Sequence, residues 1–410
     1  MYISFHYFFI LVVINLESAQ DAPSSSQPIW QNIITIIIIT FLFGFASTTY
    51  STVLQPLILL ETGGSLTFMG IVLSISALVD ALGHFVSGSL SDSCGRRIPI
   101  ALGGVLLALS GYFMLISGIV PLVIGIIIGT IAFDLSGSPA QAAISESVPP
   151  SMTSQSFSWS VAASTSSLII APLLIPLVFT QDLIRDPLIS FPILGIAVSL
   201  MVMVFMKETQ KNLESEDGHP LKIPKFTRPL KLLYIYNILD AFSFGIGFGI
   251  LFGLLIDFNI IKSEDVWFLT LVQGIFITIF QFPTGKIADR TQKTILMIIA
   301  DIIAISSLMI LVLSPSFLTA VVVSILIAAS GGLWISPLMS LIVKFSGEDE
   351  RSSALGSTWS IRRFVSIPSP IIGTSLATMF GFEAPLLTNI VFGLLMFPIL
   401  WKIRNIEISH

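Results

Sequence analysis

Apolar runs of about 20 residues or more, without strand-like alternation, recur along this chain, and they decide its fold class. Inside a bilayer no water satisfies the backbone, so such runs must close their hydrogen bonds internally as helices. A barrel of short alternating strands does not fit the pattern. A soluble fold lacks the charge to coat its surface: 10% of the 410 residues are charged, against roughly 25% in soluble domains. Cys94 is the single cysteine, which excludes an intrachain disulfide and cysteine-built zinc or iron–sulfur centres. The fold class is therefore an all-α membrane protein.

Twelve spans are predicted, near residues 33–59, 66–89, 97–117, 120–146, 153–179 and 188–206, then 230–256, 264–285, 293–314, 316–343, 351–378 and 384–403. They are numbered spans 1 to 12 below. A charged connector with three prolines, residues 207–229, separates two six-helix halves, 33–206 and 230–404. Fifteen of the 19 Lys and Arg residues fall in loops on one side; only Arg185 and Lys262 fall opposite, and Arg362 and Arg363 lie inside span 11. By the positive-inside rule the basic side is cytoplasmic, so both ends of the bundle and the tail 405–410 are expected there, in the plasma membrane. Residues 1–32 read as a flexible or surface-lying segment, or an upstream start. A cleaved signal is disfavoured, since it would invert the first span against the charge bias.

The halves repeat at an offset of 197 to 198 residues. Gly88-Ser-Leu-Ser-Asp92-Ser-Cys-Gly95-Arg96-Arg97 is echoed by Gly285-Lys-Ile-Ala-Asp289-Arg290-Thr-Gln-Lys293, Ser138-Pro139 by Ser336-Pro337, and Ala171-Pro172 by Ser369-Pro370. Duplicated halves with a site at their interface are a common build of secondary transporters. The first of these loops resembles the loop-2/3 signature of the major facilitator superfamily, G-x-L-A-D-R-x-G-R-R/K, with Ser91 and Ser93 as departures. The resemblance covers about residues 30–404 and implies twelve helices in two pseudo-symmetric bundles that work by alternating access. It implies that Gly88 admits span 11 closely, and that Asp92 sits at the N-terminus of span 11 near Arg351. Asp289 would sit likewise at span 5 near Thr153, with Arg96 and Arg97 held by Asp92 and Glu146. These contacts would close the cytoplasmic side. A basic loop that only sets topology is the plainer reading, but topology requires neither the glycine nor the aspartate.

Asp80 and His84 in span 2, Asp134 in span 4, Asp240 in span 7, Asp301 in span 9, and Arg362 and Arg363 in span 11 interrupt apolar helices. A charge at a helix centre costs about 2.5 to 3.5 kcal/mol to insert, so each is a functional candidate, with a buried structural pair as the alternative. Asp80, His84 and Gly88 share one stripe of span 2. At 1.5 Å per residue Asp80 lies about 12 Å from Gly88, and the arginines lie about 16 to 18 Å from the start of span 11. These depths predict a bridge between Asp80 and Arg362 or Arg363 across the halves, with the other arginine free for the cavity. Asp134 and Asp240 lie on spans that line the central cavity in the resembled family, and are candidates for substrate contact or proton coupling. Asp301 lies on a peripheral span, which favours a structural role. Serines and threonines of span 5, from Ser158 to Ser167, read equally as a polar cavity wall or as helix contacts.

The function expected is secondary transport of a small organic solute, coupled to protons, by a monomer with neither cofactor nor metal nor nucleic-acid partner. No phosphate-binding loop suggests an ATP-driven pump. An organic anion is slightly preferred, because a spare arginine binds carboxylates well. Drug or cation efflux is the alternative. A non-transporting receptor on the same scaffold is disfavoured by the short connector, and an intramembrane enzyme by the scatter of His6, His84, His219 and His410.

Overall fold

The computed structural model describes residues 30–149, 152–209, 227–346 and 351–409, apart from the side chains of Phe85, Thr153, Ser154, Phe282, Lys286, Asp289, Arg351 to Ser353 and Ser409. The segment before residue 30 and connector residues 210–226 lie outside this set, so the readings made of them do too. Helices Trp30–Thr62, Leu66–Cys94, Arg97–Leu115, Ile119–Glu146, Thr153–Val178 and Ser190–Phe205 form spans 1 to 6. Span 7 comprises Arg228–Ile246 and Leu251–Asp257. Asp265–Arg290, Lys293–Leu313 and Phe317–Phe345 are spans 8 to 10, Arg351–Ser366 with Ser369–Phe380 is span 11, and Glu383–Ser409 is span 12. No strand occurs among the described residues.

Eleven segments are each long and apolar enough to cross a membrane, and span 11 is the twelfth, divided at Pro368 and Pro370. Each proline removes a helical N–H donor and restricts the residue before it, so the helix stops at Ser366 and restarts at Ser369. Span 7 breaks for a different reason. Gly245, Gly247 and Gly249 cluster where the helix gives way to a short 3₁₀ turn, Phe248–Ile250. Span 2 opens on Ser65, whose hydroxyl accepts from the Phe68 N–H, and span 10 opens on a capping box between Ser316 and Thr319.

Span 12 runs on through Ser409, so the residues expected as a tail are helical, and Glu407 there has a definite task. Its carboxylate accepts from the backbone N–H of Lys293 at 2.9 Å, from that of Thr294 at 3.0 Å and from the Thr294 hydroxyl at 2.6 Å. Glu208, just past span 6, does the same for span 3, accepting from the N–H groups of Arg96 at 2.9 Å and Arg97 at 3.2 Å. In both halves a carboxylate in or just past the last span thus satisfies orphan donors that open the third. Gly95 makes room for it: its φ of 87° suits glycine, and a Cβ there would lie 2.7 Å from Glu208 Cδ. Glu407→Ala strands three donors and is expected to cost about 1–3 kcal/mol. A lower melting temperature of the detergent-solubilised protein checks this, and an unchanged one refutes it.

The halves join chiefly along spans 2 and 11 and spans 5 and 8. Hydrogen bonds between them cluster at the side opposite the basic loops. The Gln55 amide bridges the break in span 7, donating to the Gly249 carbonyl at 2.9 Å and accepting from the Gly253 N–H at 2.7 Å. Thr52 bonds Thr270, Thr67 bonds Thr378, and the Ile371 N–H donates to Ser74 at 3.2 Å. At the start of span 8, the Trp267 indole donates to the Leu183 carbonyl of the loop before span 6 at 2.8 Å. On the basic side, by contrast, a Cβ built on Gly88, Gly285 or Gly356 meets no described atom within 4 Å.

Candidate functional site

At mid-depth, the boundary between the halves carries a cluster of four ionisable groups. Arg363 of span 11 forms an ion pair with Asp80 of span 2, and its Nη1 lies 3.7 Å from Asp134 Oδ1 of span 4. His84, one turn along from Asp80, places Nδ1 2.9 Å from the same Asp134 oxygen. Asp134 is only 4% exposed, and its Oδ2 is buried beside Gly83 with no hydrogen-bond partner among the described residues. Ser87 fixes the helix behind it by donating to the Asp134 carbonyl at 2.7 Å. Arg363 therefore acts as a shared positive charge between two carboxylates, and moving span 11 away from spans 2 and 4 separates it from both.

Arg362 faces elsewhere, as the 100° step between neighbouring helix positions requires. It pairs with Asp240 of span 7, donates to Asn237 Oδ1 at 3.1 Å and lies 4.8 Å above the Trp334 ring. Neither arginine of span 11 is thus left free for the cavity, which corrects the sequence expectation: the acid that occupies Arg362 lies on span 7 of its own half. The Trp334 indole donates to the Tyr236 hydroxyl at 2.8 Å, and that hydroxyl donates to Asp301 at 3.1 Å and 3.2 Å. Asp240, Asp301, Trp334 and Arg362 line one side of a cavity of about 380 Å³ within the C-terminal half.

A second cavity, about 340 Å³, lies in the N-terminal half and is lined by Ser160, Ser164 and Thr165 of span 5 with Thr40 and Gln141. Ser167 instead packs against Thr48 at 3.4 Å and is 1% exposed. Span 5 therefore divides its hydroxyls between wall and helix contact.

The loop residues read as a conformational motif are placed as follows. Arg96 donates to Asp92 and Ser91, each at 2.7 Å, and binds Glu146 through Nη2 at 2.9 Å and Nε at 3.2 Å. Arg97 does not share these acids; its Nη2 reaches the Met203 carbonyl at 2.7 Å, because its side chain leaves the helix on the span 6 side. Gly88 is expected to be covered by span 11, yet open space surrounds it among the described atoms, as around Gly285. The contacts of Asp92 with Arg351 and of Asp289 with Thr153 involve side chains outside the described set. Arg290 is exposed, and Lys293 enters through its backbone N–H, capped by Glu407. Among the described residues no group of three or more His, Cys, Asp or Glu could hold a metal ion.

Tyr236, Asn237, Trp334, Gln55, Glu208 and Glu407 belong to these networks without having been singled out from sequence. Glu208 and Glu407 left one legible trace, since they recur at nearly the repeat offset. The uncharged residues left none.

The overall arrangement resembles several solved structures. The human organic anion transporter MFSD10 (TETRAN) aligns at 16% identity with a TM-score of 0.66, covering 91% of this chain and 100% of that one. A mutant of the nucleoside transporter NupG aligns at 13% and 0.74, covering 91% and 99%. A bacterial homologue of the human lysosomal transporter Spinster, inward-facing and unoccupied, aligns at 14% and 0.71, covering 92% and 97%. Among curated proteins no sequence relative matches. The family model for the Major Facilitator Superfamily matches residues 36–369 and again 233–407. With that match spanning most of the chain, the protein belongs to the major facilitator superfamily.

Proposed function

We propose that this protein is a proton-coupled secondary transporter that moves a small organic solute by alternating access, acting as a monomer in the plasma membrane with its basic loops cytoplasmic. The observation that carries the reading is the Asp80–Arg363–Asp134–His84 cluster, which joins spans 2, 4 and 11 across the halves. Intramembrane charges are expensive and persist where they mark an ion or substrate path. Protonating either carboxylate removes part of what holds Arg363, and so ties proton binding to the separation of span 11 from the N-terminal half. The arrangement described is then the inward-facing state: hydrogen bonds close the outer side, and the glycines of the inner side stand open.

Charge balance bears on the solute. The preference for an organic anion rested on a free arginine, whereas both arginines are paired and four aspartates lie at membrane depth. This favours a cationic solute over an anionic one.

The test is transport in proteoliposomes holding a pH-sensitive dye, with a panel of organic amines, sugars and carboxylates. At least one solute is expected to drive proton flux, and Asp134→Asn to abolish the flux while leaving solute exchange between equal concentrations. Absence of solute-linked flux for every member of the panel, with the protein folded, would sink the reading.

A further inference from the structure

The cavity of the C-terminal half holds a carboxylate with no counter-charge paired to it among the described residues. Asp301 is 6% exposed and makes no ion pair among the described residues. Its one donor among the described residues is the Tyr236 hydroxyl, which has a single proton to share between two carboxylate oxygens at 3.1 Å and 3.2 Å. That hydroxyl already receives the Trp334 N–H, so the chain of donors ends at Asp301. The cation lining the cavity, Arg362, is committed to Asp240 and Asn237 and lies 4.8 Å above the Trp334 ring. With all three groups ionised the cavity carries one excess negative charge.

Its remaining walls are suited to an apolar body. Phe244, Phe248 and Trp334 line the space, and aromatic faces attract organic cations when water is excluded. The volume of about 380 Å³ lies in the range of small-molecule pockets. A buried charge left unpaired is costly, and a ligand that brings the opposite charge removes that cost.

We propose that this cavity binds a small amphipathic organic monocation, a protonated arylalkylamine in chemical type, with Asp301 as its counter-charge and the aromatic wall holding its ring. That this ligand is the cargo rests on the transporter reading above; that it binds here does not.

Three probes share one body and differ in charge: phenethylammonium, phenylethanol and phenylacetate. Calorimetric titration of the purified full-length protein is expected to show phenethylammonium binding at least tenfold more tightly than phenylethanol, and no binding of phenylacetate. Asp301→Asn is expected to weaken phenethylammonium at least tenfold. Gly331→Leu provides a second variant that leaves every charge in place. A Cβ on Gly331 meets only Ile277 Cδ1, at 3.7 Å, so the helix tolerates it while the side chain occupies the cavity. The same tenfold loss is expected.

Tighter binding of phenylacetate would overturn the proposal in favour of an anion held by Arg362. So would phenethylammonium binding that survives Gly331→Leu, or its failure to bind the folded wild type. If charge selectivity and both losses appear but no solute drives proton flux in liposomes, the site stands and the transporter reading fails. Flux without selectivity at this cavity is the reverse case.

Discussion

Arg363→Gln is expected to reduce transport by about 100-fold or more. Removing one partner of a buried ion pair costs about 3–5 kcal/mol, because the other charge is left without compensation, and 1.4 kcal/mol corresponds to a factor of ten. Here two carboxylates are left, Asp80 in its ion pair and Asp134 at 3.7 Å. Asp80 is more than a third exposed, so its share is discounted, whereas Asp134 is almost fully buried and bears most of the penalty. The pairing itself is tested by charge exchange. Asp80→Arg sets two arginines together and Arg363→Asp sets three acids together, so each alone should be as inactive as Arg363→Gln. The double exchange restores one opposite pair across the halves and should recover transport to within about tenfold of the wild type. Uptake in proteoliposomes at matched protein density measures all three. If the double variant is no better than either single one, Asp80 and Arg363 do not act as a pair.

How much of this was legible in the sequence depends on the kind of force that places each residue. The spans follow from hydrophobic transfer, which is a property of composition along the chain, so their number and order can be read without neighbours. The depth of Asp80 and of Arg363 is equally local, because rise per residue is fixed in a helix. The partner of Arg362 is not local. Whether it met Asp80, Asp240 or a ligand depended on which face span 11 turns to span 7, a packing outcome that hydropathy does not record. The same limit hid Tyr236 and Trp334, which look like ordinary lipid-facing or core aromatics until the fold sets them against Asp301. Spans 7 and 11 were read as unbroken, although glycines and prolines stand where each divides. That Gln55 would occupy the first break was not signalled, because a lone glutamine in an apolar helix names no partner. Gly88 illustrates a further gap. A motif can say which helix a glycine is shaped to receive, but not in which state of the cycle that helix arrives.

Two glycines on opposite sides of the membrane turn that last point into a prediction with opposite signs. A Cβ on Gly274 of span 8 would lie 2.7 Å from the carbonyl carbon of Leu168 in span 5 and 3.1 Å from its Cβ. Most of what it strikes is backbone, which cannot swing aside as a flexible side chain can. Gly274→Leu therefore opposes the close approach of spans 5 and 8 that accompanies the closed outer side. Overpacking of this kind costs about 1–3 kcal/mol, enough to move a two-state equilibrium by about 5- to 150-fold. Gly88 is surrounded by open space among the described atoms, so Gly88→Leu costs this arrangement little. If span 11 closes over Gly88 when the inner side shuts, the same substitution penalises the opposite state. Spin-label pairs placed across the outer and inner sides read both outcomes. Gly274→Leu should lengthen the outer distance and shorten the inner one. Gly88→Leu should hold the outer distance short and the inner one long even when a solute is present. Both variants should transport poorly, for contrary reasons. Alternating access between two rigid halves would be refuted for this protein if the two substitutions shift the distances in the same direction, or if both leave them unchanged.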